Sequence, residues 1–82
     1  MKKAVDVRVS REGRTVKVLL EDGNEERIEL EDFEKAFKSY NRYALVKEYL
    51  FHVWYYLTSV YDVPEDKVRA ALGELREKLV GE

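Results

Sequence analysis

The sequence predicts an α+β fold in which a three-stranded antiparallel sheet is followed by three helices, in the order β-β-β-α-α-α. Residues 4–30 contain three short segments in which apolar and polar side chains alternate, the pattern of strands with one buried face. Residues 31–80 instead repeat apolar side chains at helical spacing. A chain of 82 residues has the length of one small domain, so we expect residues 1–82 to form a single unit.

The three strands are predicted at about residues 4–10, 15–21 and 25–30. The segments REGR and EDGN between them are typical of tight turns, so the strands should form a meander. Its apolar face needs a covering of helices. The side chains expected on that face are Val5, Val7, Val9, Val16, Val18, Leu20, Ile28 and Leu30.

The three helices are predicted at about residues 31–40, 42–61 and 64–80. Pro64 suits the first position of a helix, where its missing N–H has no partner to lose. Each helix has an apolar stripe at a spacing of three or four residues. The stripes contain Phe33, Ala36, Phe37 and Tyr40; then Val46, Leu50, Val53, Leu57 and Val60; then Val68, Leu72, Leu75 and Leu79.

Charge is divided unevenly between the predicted strands. Residues 2–17 carry six basic and two acidic side chains, a net charge of +4, whereas residues 18–34 carry one basic and eight acidic side chains, a net charge of −7. Neighbouring strands that cancel each other's charge explain this division on a solvated sheet face. The net charge of −2 for the whole chain gives no general nucleic-acid signature.

Catalytic residues are not recognisable in the sequence. His52 is the only histidine, and Ser59 lies about two helical turns away, too far for a nucleophile and its base. Glu48 and His52 supply at most two metal ligands, and we expect them to form a structural pair. With no cysteine and no glycine-rich phosphate loop, the sequence predicts no enzyme, cofactor or metal site, and a cytoplasmic setting is the default.

The second predicted helix is crowded with aromatic residues that cannot all face inward. Tyr49, Trp54 and Tyr55 are each consistent with core or with surface, where they would serve a homodimer or another partner. Stacking on nucleic-acid bases is a further reading. The absence of glutamine and the single methionine are typical of thermophilic proteins and equally of designed ones. A designed or stand-alone stable domain without an evolved ligand is therefore one functional alternative.

The segment DVPEDKVRAAL and the helix before it resemble the second and third helices of a winged helix-turn-helix domain. The resemblance implies a winged-helix-like fold and, as one alternative, a DNA-binding regulator. Glu65 and Asp66 would repel phosphate at the start of the recognition helix, and residues 64–82 have a net charge of −1, from four basic and five acidic side chains. The basic hairpin would have to bind instead, through Arg8, Arg11, Arg14 and Lys17.

The order of elements resembles the PqqD type of peptide-recognition domain, in which three strands precede three helices. The matching segments are RIELEDFEKAF and YDVPEDKVRAALGELREKLVGE, although the second helix is longer and more aromatic than that family implies. The resemblance implies non-catalytic binding of a peptide or protein segment, added as a strand at the third strand beside the C-terminal helix. An exposed strand edge is physically suited to this. The expected peptide-binding residues are Glu26, Arg27, Ile28, Glu29, Leu30, Arg69, Gly73 and Arg76.

Overall fold

The computed structural model of the chain describes residues 1–31 and 41–80 and confirms the α+β class. Its elements are β1 (Lys2–Val9), β2 (Thr15–Leu20), β3 (Glu25–Glu29), α1 (Arg42–Tyr55), a π-helical turn (Tyr56–Val60), β4 (Tyr61–Asp62) and α2 (Glu65–Val80). The three predicted strands agree with β1 to β3 to within two residues at each end. The helix predicted at residues 31–40 lies outside the described residues, except for its first position.

The prediction of a three-stranded antiparallel sheet with three helices of winged-helix type was wrong. The sheet has four strands in the order β3-β2-β1-β4, and the described part of the chain contains two helices. β1 to β3 form the expected antiparallel meander. β4 pairs in parallel with the start of β1, where Lys2 faces Tyr61 and Lys3 faces Asp62, so the sheet is mixed.

Helical geometry in the central segment ends at Val60, one residue before the predicted end, and β4 follows at once. The helix was expected to reach residue 61, but regular α-helix stops at Tyr55 and the next five residues form a wider π-helical turn. Tyr61 is then extended, with φ −112° and ψ 156°. Pro64 disfavours helical geometry at Val63, the residue before it, and so favours a break between β4 and α2. At its other end, α1 is capped by Asn41, whose side chain accepts a hydrogen bond of 2.9 Å from the Ala44 N–H.

A β-bulge changes the face that one predicted core residue occupies. Ala4 faces Leu20 while Asp6 faces Leu19, so β1 contains one extra residue, Val5, at this point. Val5 is consequently 47% exposed, and Ala4 is buried in its place. The expectation that Val5 faces the core was therefore wrong, because the alternation of β1 is interrupted there.

The core lies between the inner face of the sheet and the two helices, with α2 packed mainly on β1 and on α1. The buried side chains include those expected from β2 and β3, and Val7 and Val9 pack against them half-buried. Tyr49 belongs to the buried set, whereas Trp54 and Tyr55 are exposed. The largest fully buried side chains are Leu57, Leu75, Val16, Val18 and Val53.

The β1–β2 turn is held against the end of α2. Gly13 has φ +73° and is buried there, and a Cβ atom at this position would lie 3.0 Å from the Cβ of Lys78. The Lys78 ammonium donates a hydrogen bond of 3.0 Å to the Ser10 carbonyl and forms an ion pair of 3.0 Å with Glu74. The hairpin is therefore part of the packed domain, unlike a wing that projects freely from it.

Candidate functional site

β3 is an edge of the sheet, and its hydrogen-bonding pattern shows which backbone groups face outward. The Leu30 N–H donates to the Arg14 carbonyl at 2.9 Å, and the Leu20 N–H donates to the Asn24 carbonyl at 2.7 Å. In an antiparallel ladder, residues that bond across the pair alternate with residues that do not. Even-numbered residues of β3 therefore bond to β2. The N–H and C=O groups of the odd-numbered residues, Glu25, Arg27 and Glu29, point away from the sheet.

The same odd-numbered residues also carry the exposed side chains of β3. The Arg27 guanidinium lies 3.6 Å from the Glu25 carboxylate. The Thr15 hydroxyl on β2 donates a hydrogen bond of 2.7 Å to the Glu29 carboxylate. We call the side chains of Glu25, Arg27 and Glu29 the outer row of the edge. Their charges alternate along β3: negative, positive, negative.

The even-numbered residues predicted for peptide binding face inward. Ile28 and Leu30 are buried in the core. Glu26 is half-buried on the inner side, where its carboxylate accepts hydrogen bonds of 2.6 Å from the Lys2 ammonium and 2.7 Å from the Tyr61 hydroxyl. The side chains of Glu26, Ile28 and Leu30 thus stabilise the fold, and only their strand position contributes to the edge.

Glu26 links β3 to both β1 and β4 across the inner side of the sheet. The hydrogen bond from Lys2, followed by that from Tyr61, lowers the pKa of the Glu26 carboxyl below its usual value. Burial, followed by the hydrogen bond to Glu26, raises the pKa of Tyr61 to about 12. The three side chains therefore favour one protonation state, with a charged carboxylate and a neutral phenol.

The residues predicted on the C-terminal helix do not join this edge. Arg69 is exposed and pairs with Glu65 at 2.9 Å, beside a shallow groove between the end of α1 and the start of α2. Gly73 and Arg76 lie on a separate shallow surface near the end of α2. Among the described residues that line these two surfaces, none belongs to β3. A Cβ atom at Gly73 would have no neighbour within 4 Å, so no described part of the chain packs closely on this glycine.

The basic residues of the nucleic-acid alternative are divided between two places. Arg8 and Lys17 face each other across β1 and β2 on the outer side of the sheet, and Arg27 faces Lys17 from β3. This row of three basic side chains was not evident from the sequence, because it depends on the strand register. Arg11 and Arg14 lie in the β1–β2 turn, with Arg14 4.0 Å from the Glu31 carboxylate.

The polar side chains of α1 show the pairing that their spacing predicts. His52 Nε2 lies 4.0 Å from the Glu48 carboxylate, four residues earlier. Ser59 is exposed in the π-helical turn. Among the described residues, no group of three or more side chains is arranged to hold a metal ion. The prediction that the chain is not an enzyme stays a prediction.

No family model matches the chain, and neither a curated protein nor a solved structure is similar enough to match it. The resemblance to PqqD-type domains accordingly stays a prediction at the level of the sequence pattern. Within residues 1–31 and 41–80, neither helix combines the length and the apolar character needed to cross a membrane. The cytoplasmic setting also stays a prediction.

Proposed function

We propose that the chain is a non-catalytic module that binds an extended peptide or protein segment by strand addition at β3. The observation that carries the proposal is the position of β3 at the edge of the sheet, with the backbone groups of Glu25, Arg27 and Glu29 directed outward. Such an edge supplies main-chain affinity to a partner strand, and alternate side chains supply specificity. Charged side chains also discourage unspecific pairing at an edge, which favours a ligand that matches their signs.

The alternating signs of the outer row define the chemistry of the ligand. An added antiparallel strand would place every second side chain opposite Glu25, Arg27 and Glu29. The matching sequence is basic, acidic, basic at these three positions. Its other side chains would extend the inner face of the sheet next to Ile28, so they should be apolar. Each opposite-charge pair contributes about 0.2–1 kcal/mol relative to an alanine pair.

The proposal assigns no ligand contact to the C-terminal helix. Arg69 and Arg76 were expected to meet acidic groups of the peptide, but they lie on surfaces formed by the helices. Arg69 also already pairs with Glu65. The proposed site is therefore limited to the edge of β3.

A labelled peptide containing Lys-Val-Glu-Val-Lys tests the proposal by fluorescence anisotropy, with Glu-Val-Lys-Val-Glu as the charge-reversed control. The informative variant is Arg27→Pro, which removes one outward N–H but no hydrogen bond to β2, and proline is tolerated on edge strands. The matched control, Arg27→Ala, keeps this N–H. We expect Arg27→Pro to weaken binding at least about tenfold, and Arg27→Ala to weaken it by about two- to fivefold.

Circular dichroism and urea unfolding establish that both variants are folded before their affinities are compared. Equal affinity of the Arg27→Pro and wild-type proteins for the peptide would contradict strand addition at this edge. If the charge-reversed peptide bound as tightly as the matching one, the outer row would have no role in recognition, and the proposed ligand chemistry would be contradicted.

A second candidate is nucleic-acid binding, and the row formed by Arg8, Lys17 and Arg27 favours it. These side chains lie on neighbouring strands of one face, and Lys17 has no carboxylate partner within 4.0 Å among the described residues. Arg8 and Arg27 each lie 3.6 Å from a carboxylate of their own strand, which reduces their attraction for phosphate. Binding of a mixed-sequence DNA duplex that weakens steeply with salt, and is lost in Lys17→Glu, would favour this candidate. If neither ligand binds, the alternative of a stable domain without an evolved ligand gains support.

A further inference from the structure

α1 presents an aromatic surface to solvent on the side opposite the core. The helix buries Val46, Tyr49 and Val53, whose positions define its inward side. Phe51 and Tyr55 lie one turn apart on the outward side, and their flanks are aromatic too. The aromatic face consists of Tyr43, Phe51, Trp54 and Tyr55, which are 76%, 56%, 45% and 49% exposed.

The area of the aromatic face is large for a domain of this size. Aromatic side chains have areas of about 150–250 Å² each, so the exposed fractions amount to about 500 Å² in total. The largest apolar patch on a typical monomer is about 300–600 Å², and such patches are often functional. Two copies of this face in contact would bury about 1,000 Å², the lower limit for a specific interface.

Two rings of the face, those of Phe51 and Trp54, already contact each other in the single chain. The Phe51 and Trp54 ring centroids are 6.0 Å apart with an interplanar angle of 34°. Phe51 also meets His52 edge-on, with centroids 5.9 Å apart. A partner would therefore meet side chains that are partly ordered beforehand, which lowers the entropic cost of association.

We propose that the aromatic face binds a second copy of this chain, with α1 packed antiparallel to α1 of the partner copy about a twofold axis at Phe51. Lys47 lies four residues before Phe51, and Tyr55 lies four residues after it. The twofold axis would therefore place each Lys47 ammonium over the Tyr55 ring of the other copy. This arrangement uses the Lys47 ammonium of each copy in a cation–π contact and makes the surface self-complementary.

A lipid surface fits the same face less well. Attraction to anionic lipids requires a cluster of basic side chains beside the apolar ones. The sequence of α1 has one arginine, Arg42, and one lysine, Lys47, and Glu48 lies next to Lys47. The chain as a whole has a net charge of −2. Vesicle binding is therefore kept as an alternative outcome of the test.

Analytical ultracentrifugation of the wild-type chain over a wide range of concentration gives the oligomeric state. An interface of this size should have a Kd between about 10 μM and 1 mM. Trp54 is the only tryptophan of the chain, so its emission reports on the face without a label. We expect its emission to shift to shorter wavelength as the concentration rises through the same range.

The decisive variant is Phe51→Glu, which places two like charges at the twofold axis and should raise the dimer Kd by more than about tenfold. Val80→Glu is the matched control, since Val80 is a 45% exposed apolar residue of α2 outside the face. Lys47→Glu should also weaken the dimer, because the cation–π contacts are lost. Phe51 points away from the core, so the variants should keep the circular dichroism of the wild type.

Three results would overturn the proposal. They are a wild-type chain that stays monomeric at about 1 mM, a dimer that Phe51→Glu leaves unchanged, and a monomer that sediments with phosphatidylcholine–phosphatidylserine vesicles until Phe51→Glu releases it. Peptide binding at β3 is a separate measurement on a different element. Loss of dimerisation and loss of peptide binding are therefore distinguishable in the same set of variants.

Discussion

Replacement of Gly13 by alanine tests the contact between the β1–β2 turn and the end of α2. An alanine with φ near +73° has an unfavourable left-handed conformation, which costs about 1–2 kcal/mol. Its Cβ would also lie 3.0 Å from the Cβ of Lys78, so the turn or the helix must move, at a further cost of about 1 kcal/mol. We expect the free energy of unfolding to fall by about 2–3 kcal/mol in total.

Gly23→Ala is the matched control for this measurement. Gly23 also has a positive φ, of +93°, but a Cβ atom there would have no neighbour within 4 Å. Urea unfolding of both variants therefore separates the backbone cost, present in both, from the cost of the contact with Lys78. If Gly13→Ala is no more destabilising than Gly23→Ala, the turn is not packed on α2, and a freely projecting basic hairpin becomes tenable again.

Three further expectations concern other elements. Gly73→Ala should stabilise the protein by about 1 kcal/mol and raise the Tm by about 4–8 °C in calorimetry, because this position is helical and open to solvent. The pKa of Tyr61 is raised to about 12, so the stabilisation by its hydroxyl is complete below pH 10 and is lost as the pH rises from about 10 to about 12. Tyr61→Phe should therefore be less stable than the wild type at pH 8 but lose less stability between about pH 10 and pH 12. Equal losses of stability in the two proteins would contradict the hydrogen bond to Glu26. Val5→Thr should change the free energy of unfolding by less than about 0.5 kcal/mol, whereas Val16→Thr should cost about 1–3 kcal/mol in urea titrations, since only Val16 is buried.

The alternation of apolar side chains was sufficient to predict β2 and β3, because both strands keep an unbroken period of two. The same reasoning failed at Val5, where the run of valines continues through a bulge. A bulged strand has the same types of residue as a regular one, so the sequence pattern alone does not reveal the extra residue. Its position depends on the partner strand, since Ala4 and Asp6 are paired with adjacent residues of β2.

Helical periodicity did not predict the residue at which regular α-helix ends in α1. Val60 continues the apolar stripe, but the backbone has already widened at Tyr56 and becomes extended at Tyr61. Two residues have too little pattern to predict a strand, and β4 forms only because Lys2 and Lys3 lie alongside it. Its pairing is therefore a tertiary effect that overrides local preference.

The candidate site was predicted only in part, because the sequence pattern assigns a strand but not the way a helix packs on the sheet. The third strand was assigned from its own alternation. A meander has two edges, and the resemblance to PqqD-type domains selected the third strand for the hypothesis. The placement of Arg69 and Arg76 depended on how α2 crosses the sheet, and helical spacing contains no information on that angle. The sequence pattern identified aromatic residues around α1, but burial of Tyr49 and exposure of Tyr55 follow from the packing of the whole helix.

The parallel pairing of β4 with β1 has a consequence for the order of events during folding. Lys2 and Tyr61 are partners although 59 positions separate them, so their contact closes nearly three quarters of the chain into one loop. The meander and the helices involve much shorter separations and should form first, since loop closure costs more for distant partners. Until β4 is in place, one side of β1 would remain unpaired. We therefore expect the parallel pair of β1 and β4 to be the last part of the sheet to form.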